Sequence, residues 1–346
     1  MTTQRRGGAS GRSATRKQTP TRSETPRRAP RGRAAGAPAE TIAVGPFVEA
    51  GPVLLAVDDS PASQRAAQVA LELAEQKGAH VHVLSVVDTR PAPIPPPVDL
   101  ALALADGAYG ATLHAQQKRD IRAGLSKVVG RSVDWPVDVK LGTPAHAIAA
   151  EARRLGSSLV VLGLRRHHAV DRALHDETTL EVMRAGVCPV LGVASTLDTL
   201  PRRVVVGVDF SRASLTAARI ARSLLADGGT LVLAYVAPPW VDNLPDDGER
   251  TIRELGVAAA FKWFAGELGP MPGIALENAL LQHEPGRTVC ELLIAHASGT
   301  HADLIALGSL RHGRIERFVL GSVTSDVARD GRHSLLAVPP AETDGR

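Results

Sequence analysis

Apolar and polar positions alternate in two rhythms along the chain. Short, nearly continuous runs of Val, Leu, Ile and Ala recur at 53–57, 80–86, 136–140, 159–163 and 189–193, and again at 203–208, 230–236, 274–281, 303–308 and 334–338. Such runs suit strands covered on both faces. Between them lie longer stretches with helical spacing, for example 61–77, 143–155, 212–227 and 286–299. Strand alternating with helix, joined by right-handed crossovers, predicts an α/β fold with doubly wound parallel sheets. Ser60 followed by Pro61 reads as a helix start, a capping hydroxyl with proline at the first helical position. Ser211 fills the same place further on.

The pattern occurs twice. Val53-Leu54-Leu55-Ala56-Val57-Asp58-Asp59-Ser60 returns as Val204-Val205-Val206-Gly207-Val208-Asp209-Phe210-Ser211, 151 residues later. Leu159–Gly163 returns as Leu304–Gly308, and Pro189–Val193 as Ser334–Val338, both at an offset of 145. Three matches in one order at nearly one offset mean a duplicated domain. The predicted domains are 51–195 and 202–340, each with a five-stranded sheet, behind a tail at 1–48.

Composition sharpens this picture. The chain has 346 residues, 44% of them hydrophobic and only 3% aromatic, so the core must be built from Ala, Val and Leu. No apolar run approaches the length of a transmembrane helix. The N-terminus is polar and basic with no apolar stretch behind it, so no signal peptide is expected. Two cysteines, Cys188 and Cys290, cannot build a disulfide framework or a four-thiolate zinc site, and they suit a reducing, cytoplasmic setting. The formal net charge of +4 is unevenly placed: the first 50 residues carry +7 and the remainder −3. The mildly acidic body argues against a nucleic-acid-binding domain. The tail, rich in Arg, Gly, Ser and Pro, has no apolar period and is expected to be disordered. A weak contact with nucleic acid is suggested only there, and no aromatic residue is interleaved for base stacking.

In a doubly wound sheet, ligands sit beyond the carboxyl ends of the strands. In the second half, Asp209 follows the first strand, Gly308 closes the fourth, and Gly321-Ser322-Val323 opens the last helix. Glycine lets backbone approach a phosphate. The free amides of Ser322 and Val323 favour an anion, and the Ser322 hydroxyl can add a hydrogen bond. Asp209 can accept from a base or ribose. Together these features suggest a nucleotide.

With these residues in view, the chain resembles a tandem universal stress protein in both halves. The family's first strand runs into Asp-x-Ser, here Asp58-Asp59-Ser60 and Asp209-Phe210-Ser211. Its Gly-x2-Gly-x9-Gly-Ser motif is matched by Gly308 and by Gly321-Ser322, and its Cys-Pro-Val-Leu-x-Val strand by Cys188 to Val193. The resemblance implies a Rossmann-like sheet of strand order 3-2-1-4-5, and dimer-like pairing through the last strands, here between the two halves. It also implies adenine-nucleotide binding, ATP with Mg as a possible companion. Gly207, Val208, Asp209 and Val236 would lie at the adenosine. Gly308, Ser309, Arg311, Gly321, Ser322 and Val323 would lie at the phosphates.

The departures from the motif bear on these roles. Arg311 stands where the second motif glycine belongs. It either clamps a phosphate or fills the space a glycine leaves open. In the first half, Arg166 replaces that glycine and Asp176-Glu177 stand where Gly-Ser should be. Carboxylates there cap a helix but repel a triphosphate. The first half therefore reads as a degenerate lobe that has lost nucleotide binding.

Other chemistry is thin. His167, His168 and His175 lie among Arg165 and Arg166 and lack zinc-ligand spacing, so no metal site is expected. Neither cysteine has a neighbouring His/Asp pair, and both read as buried. No activated serine is evident, and the chain is not expected to be an enzyme beyond slow nucleotide hydrolysis. The region 237–272, with Trp240, Trp263 and Phe264, reads first as core packing. The expected function is an ATP-binding sensor or regulator in a stress response, with a possible homodimer and no membrane. The alternative is a nucleotide-free scaffold whose lobes and tail bind a partner. A related nucleotide-transferring enzyme would need a Ser-Gly-Gly-x-Asp-Ser loop where Asp209-Phe210-Ser211-Arg212 stands.

Overall fold

The structure, a computed structural model, describes residues 51–58, 60–88, 108–164, 178–238, 247–309 and 320–340. The tail at 1–48, Arg166, His167, His168, His175, Asp176, Glu177, Trp240 and Arg311 lie outside the described residues.

The first half runs β1 (Val53–Val57), α1 (Pro61–Lys77), β2 (Val81–Asp88), α2 (Ala108–Val129), β3 (Val137–Gly142), α3 (Pro144–Leu155), β4 (Leu159–Gly163), α4 (Thr178–Ala185) and β5 (Val190–Val193). The second runs β6 (Arg203–Gly207), α5 (Arg212–Leu224), β7 (Thr230–Val236), α6 (Asp247–Leu268), β8 (Ala275–Leu281), α7 (Val289–Gly299), β9 (Leu304–Gly308), α8 (Ser322–Asp330) and β10 (Ser334–Val338).

The strands join one sheet in the order β3-β2-β1-β4-β5-β10-β9-β6-β7-β8. Each half is therefore 3-2-1-4-5 in its own numbering, as the resemblance implies. All pairs within a half are parallel, and the halves meet at the antiparallel pair β5–β10, with Leu336 opposite Leu191. Pairing through the last strands thus takes place inside one chain.

Alternate residues of each strand feed two cores. Val53 and Leu55 belong with Ala66, Leu73, Leu215 and Phe264 to the core on one face. Leu54 and Ala56 pack with Ile148, Leu180, Leu293 and Val327 on the other. Both cores run across the β5–β10 junction, and the side-chain period of two assigns the faces.

The helix starts form as read. The Ser60 hydroxyl accepts from the Ser63 amide and the Ser211 hydroxyl from the Ser214 amide, 3.2 Å each. Such a cap stabilises a helix by about 1 kcal/mol. Two 22-residue helices, α2 and α6, stand where no helix was read. The signal is there: Val257, Phe261, Phe264 and Leu268 fall at i, i+4, i+7 and i+11. Phe261 and Phe264 are core residues, as the packing reading expects, whereas Trp263 is 49% exposed.

Candidate functional site

The carboxyl ends of β6, β7 and β9 bring most of the second-half candidates to one edge. Gly207 ends β6 opposite Ala234 of β7 and Leu307 of β9. The Val208 amide donates to the Ala234 carbonyl at 2.9 Å, which extends the ladder one residue further. Val236 ends β7 and Gly308 ends β9. Because α8 follows β9 in a parallel crossover, its N-terminus opens at this same end.

Asp209 is exposed beyond β6 and accepts a hydrogen bond from the Ser211 amide at 3.0 Å. Burial of its carboxyl works upward on the pKa. Hydrogen bonds from the hydroxyl and amide of Ser211 and from Ser214 work downward and win, holding it below the usual carboxylate range. Asp209 is therefore an ionised acceptor at neutral pH.

The turn after Asp209 carries strain. Phe210 has φ 60, a left-handed conformation that costs a residue with a Cβ about 1–2 kcal/mol. Its ring lies 4.9 Å from Tyr235 and 5.2 Å from Phe261, and aromatic pairs of this kind return about 0.5–1.5 kcal/mol each. The aromatic contacts hold the strained turn that presents Asp209 and lets Ser211 cap α5.

The two glycines have different reasons to be glycine. A methyl on Gly308 would fall 2.3 Å from the Ala213 carbonyl oxygen, so the end of β9 is pressed against the first turn of α5. Gly163 repeats this in the first half, where a methyl would lie 2.7 Å from the Ser63 amide. The bare backbone at Gly308 thus serves strand–helix packing. Among the described residues a methyl on Gly321 would meet only the Thr324 hydroxyl, 3.9 Å away, and no side chain caps the first amides of α8. Ser322 is exposed and Val323 half-buried against the core.

Ser309 stands out beside them. It is 2% exposed, and its hydroxyl has no hydrogen-bond partner among the described residues. Buried hydroxyls are nearly always bonded, so this one calls for a reason.

The first half carries features the sequence reading missed. A cavity of about 270 Å³ opens at the carboxyl ends of its strands, lined by Asp58, Val86, Asp88, Ile148 and Leu180, with Ala328 from the second half. Across β2, β3 and α3, His82, Asp138 and Glu151 place ligand atoms within 4.8 Å of one another. Asp138 already bonds His82 and Lys118, at 3.0 Å each, and the fully buried Glu151 bonds Lys140 and Arg154. Three fixed cations on two carboxylates make this a charge network and oppose a metal ion.

Neither thiol is reactive. Burial pushes Cys188 up to about 12, and burial with nearby carboxylates pushes Cys290 up to about 11. No described helix is long and apolar enough to cross a membrane.

The family model for the universal stress protein family matches residues 50–194 and again residues 201–339. No curated protein matches the chain. Among solved structures, a universal stress protein from Archaeoglobus fulgidus DSM 4304 superposes with a TM-score of 0.57 at 18% identity, over 85% of this chain and 100% of that one. A functionally unknown protein from Pseudomonas aeruginosa PAO1 superposes at 0.56 with 16% identity, over 85% and 94% of the two chains. At these identities the likeness to both is one of fold.

Proposed function

Because the chain belongs to the universal stress protein family in both of its halves, we propose that it is an adenine-nucleotide-binding regulator, with ATP held in the second half. The observation that carries this reading is the buried Ser309 hydroxyl at the end of β9, which has no hydrogen-bond partner among the described residues, in the half whose last helix begins without a side-chain cap. A phosphate would satisfy both features, because open helix amides and a spare hydroxyl are donors in search of an anion. Asp209 supplies the acceptor for a base or ribose, and Val236 lies at the same sheet edge as an apolar neighbour. Arg311 and any Mg ion would act on the phosphate side. In this reading the protein is a cytoplasmic binder and not a catalyst.

Calorimetry with ATP, ADP and AMP on the full chain tests the reading. One ATP per chain is expected, lost in Asp209→Ala and in Gly321→Asp, which installs at the helix start an acid like those the first half carries in sequence. Two per chain would return nucleotide binding to the first half. No binding at millimolar ATP would remove the proposal and favour a nucleotide-free scaffold.

A further inference from the structure

The turn after Asp209 is tied to α6 by two separate grips. The first is aromatic. The chain has five Phe, two Tyr and three Trp, and Phe210, Tyr235, Phe261, Phe264 and Trp263 stand together here. The Phe210 ring meets Phe261 and Phe264 of α6 at 5.2 and 6.1 Å. Phe264 is fully buried, while Trp263 faces solvent from the same helix. The second grip runs through α5, the helix that Ser211 caps. Arg219 donates to the Glu267 carbonyl and Arg222 to the Leu268 carbonyl, 2.7 Å each, so α5 holds the last turn of α6 by carbonyls that a helix end leaves open.

Neither grip has a counterpart in the first half. The offset that pairs Ser60 with Ser211 puts Asp59 at Phe210, Gln68 at Arg219 and Leu71 at Arg222. The strand registers put Ser85 at Tyr235. The described residues that α2 gives to the core are Ile121, Leu125, Val128 and Val129, all aliphatic. The half with the proposed nucleotide site is thus the half whose Asp209 turn is linked to its long crossover helix.

Phe210 gives this link two settings. Its left-handed backbone is unfavourable on its own, and the rings hold it there. Released from the rings, the residue returns to the extended region that an L side chain prefers. The strain and the ring contacts are of like size, so a ligand that engages Asp209 in one setting shifts the balance. We propose that the Phe210 turn couples the second-half site to α6: a nucleotide at Asp209 locks turn and helix together, and the outward face of α6 reports occupancy. This rests on the nucleotide reading above and adds to it the regulator's output.

Fluorine NMR on the full chain labelled with 5-fluorotryptophan tests the coupling, with the Trp263 signal assigned by its loss in Trp263→Phe. ATP should move the Trp263 signal and leave that of Trp135, in the first half, in place. Phe264→Leu keeps an apolar core and removes the ring between Phe210 and α6. It should erase the Trp263 shift and weaken ATP by about fivefold, the low end of coupling between two sites. Leu225→Ala, a buried change in the same core outside the ring cluster, should do neither, even where it lowers stability. The coupling is overturned if ATP binds without a response at Trp263, if Phe264→Leu leaves the shift in place, or if Leu225→Ala matches Phe264→Leu. If calorimetry finds no nucleotide, the reading of the site fails and Asp209→Ala decides the coupling instead. That change takes the acceptor from the Ser211 amide and should move the Trp263 signal with no ligand present, whereas Asp58→Ala should not. An unmoved Trp263 in Asp209→Ala overturns the coupling as well.

Discussion

The Ser334 hydroxyl accepts a hydrogen bond from the Ala194 amide at 3.0 Å, with Ser334 fully buried. One residue opens the last strand of the second half, and the other follows the last strand of the first. The bond lies just beyond the ladder that pairs Leu335 with Gly192. It joins the halves where the strand directions reverse.

Ser334→Ala leaves the Ala194 amide without its partner in a dry setting. Such an orphaned donor costs about 1–3 kcal/mol. Urea denaturation should show a loss in that range. A junction that holds the halves together predicts one cooperative transition in the wild type. Two separated transitions in the variant would mean that this bond couples the halves; an unchanged midpoint would mean that water replaces it at no cost.

Gly308 and Gly321 should separate cleanly. Gly308→Ala drives a methyl into the Ala213 carbonyl, and overpacking against fixed backbone costs about 1–3 kcal/mol or more. Gly321→Ala meets only an ordinary contact with Thr324 among the described residues and should cost well under that, a helix-start propensity effect. Thermal melts of the two variants side by side give the comparison. Equal destabilisation would contradict the packing role assigned to Gly308.

The buried Glu151 predicts a pH limb. Hydrogen bonds from Arg154 lead the forces that hold its carboxyl below the ordinary 4.5; burial opposes them, and Lys140 adds to them. A carboxyl lowered on folding contributes stability above its unfolded value and loses it as pH falls through the folded value. Stability should therefore hold steady at neutral pH and decline below 4.5. Glu151→Gln should cost about 1.5–3 kcal/mol at neutral pH, the worth of a charged hydrogen bond, and flatten that acid limb. Denaturant midpoints measured from neutral to acid pH in both proteins decide it; parallel curves would assign the limb to other carboxylates.

Much of this architecture is legible in the residues, because strands covered on both faces write themselves as unbroken apolar runs. Observed strands such as Val81–Asp88 and Ala275–Leu281 shift by only one or two residues from those read. The α6 stripe of Val257, Phe261, Phe264 and Leu268 went unread because this segment is the least alike in sequence between the halves, so the repeat did not draw attention to it. The dual meaning of glycine was not legible either. Gly308 and Gly321 are equivalent letters, and only the position of Ala213 tells the packed one from the open one. The first-half cavity depends on Ala328, a residue of the other half, and no local motif records a contact across the β5–β10 junction.

Ser309 gives the sharpest test of the second-half site, since stability and binding should move in opposite directions. Its hydroxyl is buried and unbonded among the described residues, so it contributes a desolvation cost with no compensating bond. Ser309→Ala removes the cost and should leave stability unchanged or slightly raised, because an apolar group suits a dry position. If the hydroxyl is kept for a phosphate, the same change should weaken ATP by about tenfold, the worth of one hydrogen bond to a charged group at its low end. AMP, with fewer phosphate oxygens to reach it, should be affected less. A melt and a titration on one preparation suffice. Lower stability with unchanged ATP affinity would mean that the Ser309 hydroxyl finds its partner within the protein, and the phosphate reading of this position would go with it.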